Sequence, residues 1–110
     1  MELDRIERIA STVAKHYGVR VSDIRGHGRT KGAVLPRHVA MFLLRCVTPH
    51  SLKEIGGYFG GRHHTTVMHA FQKIRRKSEN DLKFAVTLDR FRATERGEPV
   101  WVCRAEGWGV

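Results

Sequence analysis

Residues 51–62, SLKEIGGYFGGR, constrain the fold more than any other stretch of the chain. Ser51-Leu52-Lys53-Glu54 has the Ser-x-x-Glu form of a capping box. In that device the serine hydroxyl accepts from the backbone N–H three residues on and the glutamate reaches back to the serine N–H, so a helix starts at Ser51. Its buried face is Leu52, Ile55 and Phe59. Gly60-Gly61 follows, two residues that take positive φ at little cost, as a tight turn requires. A second helix begins at once, with Val67, Met68, Phe71 and Ile74 as its inward stripe. Arg62, His63, Thr65, Thr66, His69, Lys73 and Arg76 fall wholly or mainly outside that stripe. Two short helices joined by a glycine turn, the second polar and basic on its outward side, describe a helix-turn-helix. Its second helix, His64 to Lys77, is expected to enter the major groove of a DNA duplex.

The remaining segments supply the surfaces those two helices need. Ile6, Ile9, Ala10, Val13, Ala14 and Tyr17 recur at spacings of three and four, which predicts a helix from near Glu2 to Gly18. Val19, Val21 and Ile24 surround Ser22-Asp23 and predict a short helix capped by Ser22. From Arg25 to Gly32, RGHGRTKG combines glycines with cations and reads as a basic loop. Pro36 fits the first turn of a third helix. Val39, Ala40, Phe42, Leu43, Cys46 and Val47 make that helix apolar around much of its circumference, and Thr48-Pro49 ends it. Beyond Ser78, Leu82, Phe84, Ala85, Leu88 and Phe91 keep helical periodicity up to Gly97-Glu98-Pro99, and the last residues, VWVCRAEGWGV, read as extended or irregular. The expectation is an all-α domain of five or six helices. Residues 1–78 form the helix-turn-helix unit, and 79–110 add a C-terminal helix and tail.

Charge points the same way. The chain carries a formal net charge of +9, and its distribution is uneven. Lys15 to Lys77 holds thirteen Lys or Arg against two acids, Asp23 and Glu54, whereas the rest holds seven against nine. The whole excess therefore lies around the predicted reading head, where a polyanion would meet it. The groove is about 12 Å wide and admits one helix, whose short polar residues reach base edges while flanking Lys and Arg neutralise phosphates. No apolar run approaches a membrane span, and Met1-Glu2-Leu3-Asp4 lacks the basic start and apolar stretch of a signal peptide, so a cytoplasmic, nucleoid-associated protein is expected. Cys46 and Cys103 form no CxxC pair. Neither a disulfide framework nor a zinc finger is suggested, and Cys46 reads as a core residue in a reducing compartment.

The string GGRHHTTVMHAFQKI, preceded by SLKEIGGYF and PRHVAMFLLR, resembles the C-terminal DNA-binding domain of the bacterial chromosomal replication initiator DnaA. The resemblance runs from about Ile6 to Lys77. It implies a Trp-repressor-like helix-turn-helix that reads a short duplex element, the DnaA box, through the major groove, with a basic-loop arginine in the adjacent minor groove. Carried over by position, His64, Thr65 and Thr66 contact bases or neighbouring phosphates, and Arg29 is the minor-groove arginine; His63, at the head of the same helix, is also expected to contact a base. Arg37, Arg45 and Arg62 approach the backbone, and Lys31, Lys53 and Lys73 are further phosphate contacts. Three positions depart from the family pattern. His63 stands where an aspartate usually accepts from a cytosine amino group, Leu35 where arginine is common, and Lys53 where proline is frequent. No GxxxxGK[ST] string is present to cradle nucleotide phosphates, so no ATPase activity or cofactor is expected. A stand-alone protein that reuses the module is the favoured reading over an excised domain.

Rival readings are weaker. His63, His64 and His69 lack the spacings of three or four that place metal ligands on one helical face. Ser, His and Asp occur without a nucleophile elbow or paired carboxylates, so no enzyme is predicted. An RNA reader would show stacking aromatics, yet Phe42, Phe59 and Phe71 all fall on apolar faces. The rival from another class is a protein-interaction adaptor that uses the basic face. Trp101 and Trp108 either pack back on the domain or dock to a partner or second copy, and the sequence leaves both readings open.

Overall fold

In this computed structural model the described residues are 2–26, 32–48 and 50–95, with side chains described for 6–26, 32–48 and 50–91. They form six helices and no strand: α1 (Glu2–Tyr17), α2 (Val21–Arg25), α3 (Val34–Val47), α4 (Leu52–Tyr58), α5 (His64–Asn80) and α6 (Leu82–Glu95).

The all-helical expectation is met, and most boundaries follow from local chemistry. Helix α1 stops where Gly18 takes φ +70°. Val19 N–H donates to Ala14 O at 2.9 Å and Gly18 N–H to Lys15 O at 3.3 Å, the paired bonds of a glycine-terminated helix. Helix α2 starts two residues earlier than a Ser22 cap would place it, with Arg20 as its N-cap. Ser22 lies inside the helix, and the Asp23 carboxylate accepts from the Arg20 backbone N–H at 3.3 Å, so the acidic side chain fixes the start. Helix α2 also absorbs Arg25, which shortens the predicted loop.

Helix α3 is the hub. It packs against α1, α2, α4, α5 and α6, and Val39, Ala40, Met41, Phe42, Leu43, Leu44 and Val47 are all buried on it. Its contact with α5 includes Phe42 stacked on Phe71, with ring centroids 4.8 Å apart. Helix α5 runs three residues past Lys77. The Ser78 hydroxyl folds back to donate to Arg75 O at 2.7 Å, a bond compatible with continued helix. Asp81 then separates α5 from α6 and accepts the Phe84 N–H at 3.2 Å. Phe84, Leu88 and Phe91 join the same buried cluster as α1 and α3.

Cys46 differs from the sequence expectation of an unpaired core residue: it is half-buried and disulfide-bonded. Such pairing depends on tertiary proximity, for which widely separated cysteines give no local signal. Trp101 and Trp108, with the expected extended tail, lie outside the described residues.

Candidate nucleic-acid interface

The interface is built on the α4–turn–α5 unit. The predicted capping box at the start of α4 is present in both halves: Glu54 N–H donates to Ser51 Oγ at 3.1 Å, and Ser51 N–H donates to Glu54 Oε1 at 2.8 Å. These bonds hold the Glu54 carboxyl below the ordinary carboxylate range, the backbone bond at Ser51 contributing most. At the other end Gly60 and Gly61 take φ +84° and +75°, as the sequence required. The turn closes through Arg62 N–H to Gly56 O at 2.9 Å and Gly61 N–H to Gly57 O at 3.4 Å. Gly56 is a second requirement that the sequence did not single out, because a Cβ there would overlap the Arg62 carbonyl.

The turn delivers the chain into α5 at His63, which is the N-cap. Its Nδ1 accepts the Thr65 backbone N–H at 3.2 Å and lies 2.8 Å from the Thr65 hydroxyl oxygen. The His63 ring also lies against that of His64, with centroids 4.2 Å apart. Beyond this head the helix is two-sided. Val67, Ala70, Phe71 and Ile74 are buried, whereas Thr66, His69, Gln72, Lys73 and Arg76 are exposed and His64 and Thr65 are half-buried. The expected base readers therefore cluster at the exposed start of α5, with a polar, basic face behind them.

An open depression of about 400 Å³ runs along that face, lined by His38, Thr66, His69, Ala70, Gln72, Lys73 and Arg76. His38 comes from α3 and was not among the predicted residues, since only tertiary packing brings it to α5. Its pKa is lowered, first by burial and then by the charges of Lys73, Arg37 and Arg62, so the ring is held neutral amid cations.

The other expected contacts divide. Lys73 is exposed on α5, and Lys53 is exposed in the first turn of α4. Arg45 is half-buried in the last turn of α3. Arg62 is half-buried and donates from Nη2 to Gly26 O at 3.0 Å, tying the turn to the end of α2. Arg37 departs from expectation. It is only 6% exposed and donates to Ile24 O at 2.7 Å and Asp23 O at 2.8 Å, so its guanidinium fastens α2 to α3 rather than facing a phosphate. Arg25 is exposed and also engages the fold, donating to Tyr58 O at 3.2 Å with its guanidinium 4.2 Å from the centre of the Tyr58 ring and 3.6 Å from the Glu7 carboxylate. Arg29 and Lys31 lie outside the described residues.

A family model described as the bacterial dnaA protein helix-turn-helix matches residues 6–74, from the first core residue of α1 through the buried stripe of α5. The chain belongs to that family. Among DnaA relatives, the chromosomal replication initiator protein DnaA of Mesorhizobium japonicum is 49% identical over 88 residues, covering 80% of this chain and 18% of that protein. The DnaA protein of Symbiobacterium thermophilum is 42% identical over 93 residues, covering 84% of this chain and 20% of its own length. The chain thus spans about a fifth of the length of these curated relatives. A crystal structure described as a DNA replication initiation factor superposes with a TM-score of 0.75 at 33% identity, covering 86% of this chain and 29% of that one. The fold is therefore that of the DnaA helix-turn-helix DNA-binding module. No helix among the described residues is long and apolar enough to cross a membrane.

Proposed function

We propose that this chain binds double-stranded DNA sequence-specifically, with α5 in the major groove and Arg29 of the basic segment between α2 and α3 in the adjacent minor groove. The supporting observation is the two-sided α5. Its buried stripe fixes the helix on the core, and its exposed face opens with His63, His64, Thr65 and Thr66 behind a turn set by Gly60 and Gly61. Lys53, Arg62 and Lys73, with Lys31 and Arg45, supply the phosphate contacts that set register. Residues 1–78 carry the reading unit, and 79–110 extend it with α6 and a tail able to meet a protein partner or a second copy. The role is regulatory: occupancy of DnaA-type boxes or related sites in replication-origin or transcription control, on the nucleoid, without nucleotide chemistry. Titrating the chain against fluorescently labelled DnaA-box duplexes and scrambled ones at moderate salt tests this. Preference for the box supports it, and equal affinity removes the sequence-specific reading.

A further inference from the structure

The bonding of His63 determines what it offers to a base. A backbone N–H only donates, so the 3.2 Å contact from Thr65 N–H requires a lone pair on Nδ1. The Thr65 hydroxyl, 2.8 Å from the same nitrogen, is able to donate to that lone pair as well. A proton on Nδ1 would suit the hydroxyl contact alone and oppose the backbone N–H, which is one of the donors a helix start must satisfy. In the neutral ring the proton therefore sits on Nε2. The cap holds one side of the imidazole and the His64 ring lies against it, while the residue remains exposed at the head of α5. What His63 turns outward is a single N–H donor.

We infer that His63 is a specificity residue that donates from Nε2 to guanine and discriminates against cytosine, a deepening that rests on the DNA-reading function proposed above. In the major groove guanine presents two acceptors, N7 and O6, and no donor. Adenine places an amino donor beside its N7, thymine pairs its O4 with a methyl group, and cytosine offers an amino donor that an N–H cannot accept. The positive end of the α5 dipole favours the same choice, because guanine has the most acceptor-rich edge. An aspartate cap has the opposite polarity: one carboxylate oxygen takes the Thr65 N–H and the other accepts from a cytosine amino group.

The test is selection of bound duplexes from a random pool with the wild-type chain and with His63→Asp, which keeps the cap. The wild type should enrich a G·C pair at one position, and the variant should invert that pair to C·G, each by about tenfold or more over the alternative. Enrichment of cytosine by the wild type, or the same base with both proteins, overturns the inference. So does a uniform loss of affinity with an unchanged consensus, which assigns His63 to a phosphate. A pool that yields no consensus with either protein defeats the DNA-reading function itself, and this inference with it. Long-range 1H–15N spectra of the free chain at mildly alkaline pH separate the two failures, since they report the tautomer without DNA. A protonated Nε2 is expected, and a protonated Nδ1 overturns the inference.

Discussion

Arg37 Nε lies 2.7 Å from the carbonyl oxygen of Ile24, and that bond, with a second from Nη2 to Asp23 O, hangs the short helix α2 on the hub helix α3. The two helices flank residues 27–31 in the sequence, which include Arg29, expected at the minor groove, and Lys31, expected at a phosphate. Arg62 reaches from the turn to Gly26 O, so the same corner is also tied to the reading head. One buried guanidinium and one half-buried one thus hold the end of α2 on α3 and on the turn.

Replacing Arg37 by methionine keeps the aliphatic stem and leaves two carbonyls without their charged donor. The expected loss is about 3 kcal/mol of folding stability, since hydrogen bonds to charged groups contribute about 1.5–3 kcal/mol and buried unpaired acceptors cost more. Urea denaturation measures it. An unchanged midpoint would show that the bonds contribute nothing, and an unchanged salt slope of DNA binding is expected because Arg37 meets no phosphate.

Lys73 and Thr65 should separate on DNA. Lys73→Ala is expected to weaken specific and random duplexes alike and to reduce the slope of log affinity against log salt by about 1. Thr65→Ala should cost about 1–3 kcal/mol on the best site and little on random DNA. Anisotropy titrations at several salt concentrations read both. Equal losses on both duplexes for Thr65→Ala would show that it reads no base.

The contrast between Ser51 and Arg37 shows what the sequence could reveal. The capping box, the paired glycines and most of the apolar stripes are local patterns whose physics is complete within a few residues, and they appear where the spacing placed them, although Met68 is only partly buried and Leu82 is exposed. Arg37 looks in sequence like a phosphate-binding cation, and only the packing of α2 against α3 shows that its guanidinium meets two backbone carbonyls. His38 reaches the α5 face across a helix interface, and Gly56 is needed because of a carbonyl six residues on. The cap formed by His63 was hidden for a different reason: histidine is an uncommon N-cap, so its Nδ1 was not counted among the bonds that start α5.

His38 gives a pH prediction. Its pKa is lowered from 6.5 in the folded chain, so the unfolded chain takes up the proton first as pH falls. Stability rises with pH wherever the unfolded state binds more protons. The contribution is therefore intact above the ordinary value and erodes as pH drops below it, until the folded form is protonated too. Denaturation midpoints measured between about pH 7.5 and pH 5 should fall, and His38→Gln should flatten the part of the fall that begins near neutrality. An identical pH dependence in the variant would assign the effect to other groups.

Gly56→Ala tests the close approach in the turn. The added methyl would overlap the Arg62 carbonyl, which belongs to the backbone and cannot rotate aside. A loss of about 2–3 kcal/mol is expected from overpacking, accompanied by changed amide shifts at His63 and Thr65. Gly57→Ala, with open space around its Cβ position, is the control and should leave those shifts in place.

Tyr58 should be the last tyrosine to ionise. Burial first, and then the Glu7 carboxylate, push its pKa up to about 12, against an opposing pull from Arg25. Because the folded value lies above the ordinary 10.0, stability is full below that pH and is lost as pH rises through about 12. Phenolate absorbance should therefore show a late step that Tyr58→Phe abolishes. A phenolate titration complete near pH 10 would contradict the burial.

The Phe42–Phe71 stack gives the reading helix its bearing from inside the protein. The residues that hold α5 and the residues it presents to solvent occupy opposite flanks of one cylinder. A substitution on the outward flank can therefore change what the helix presents to solvent without disturbing the packing that holds it.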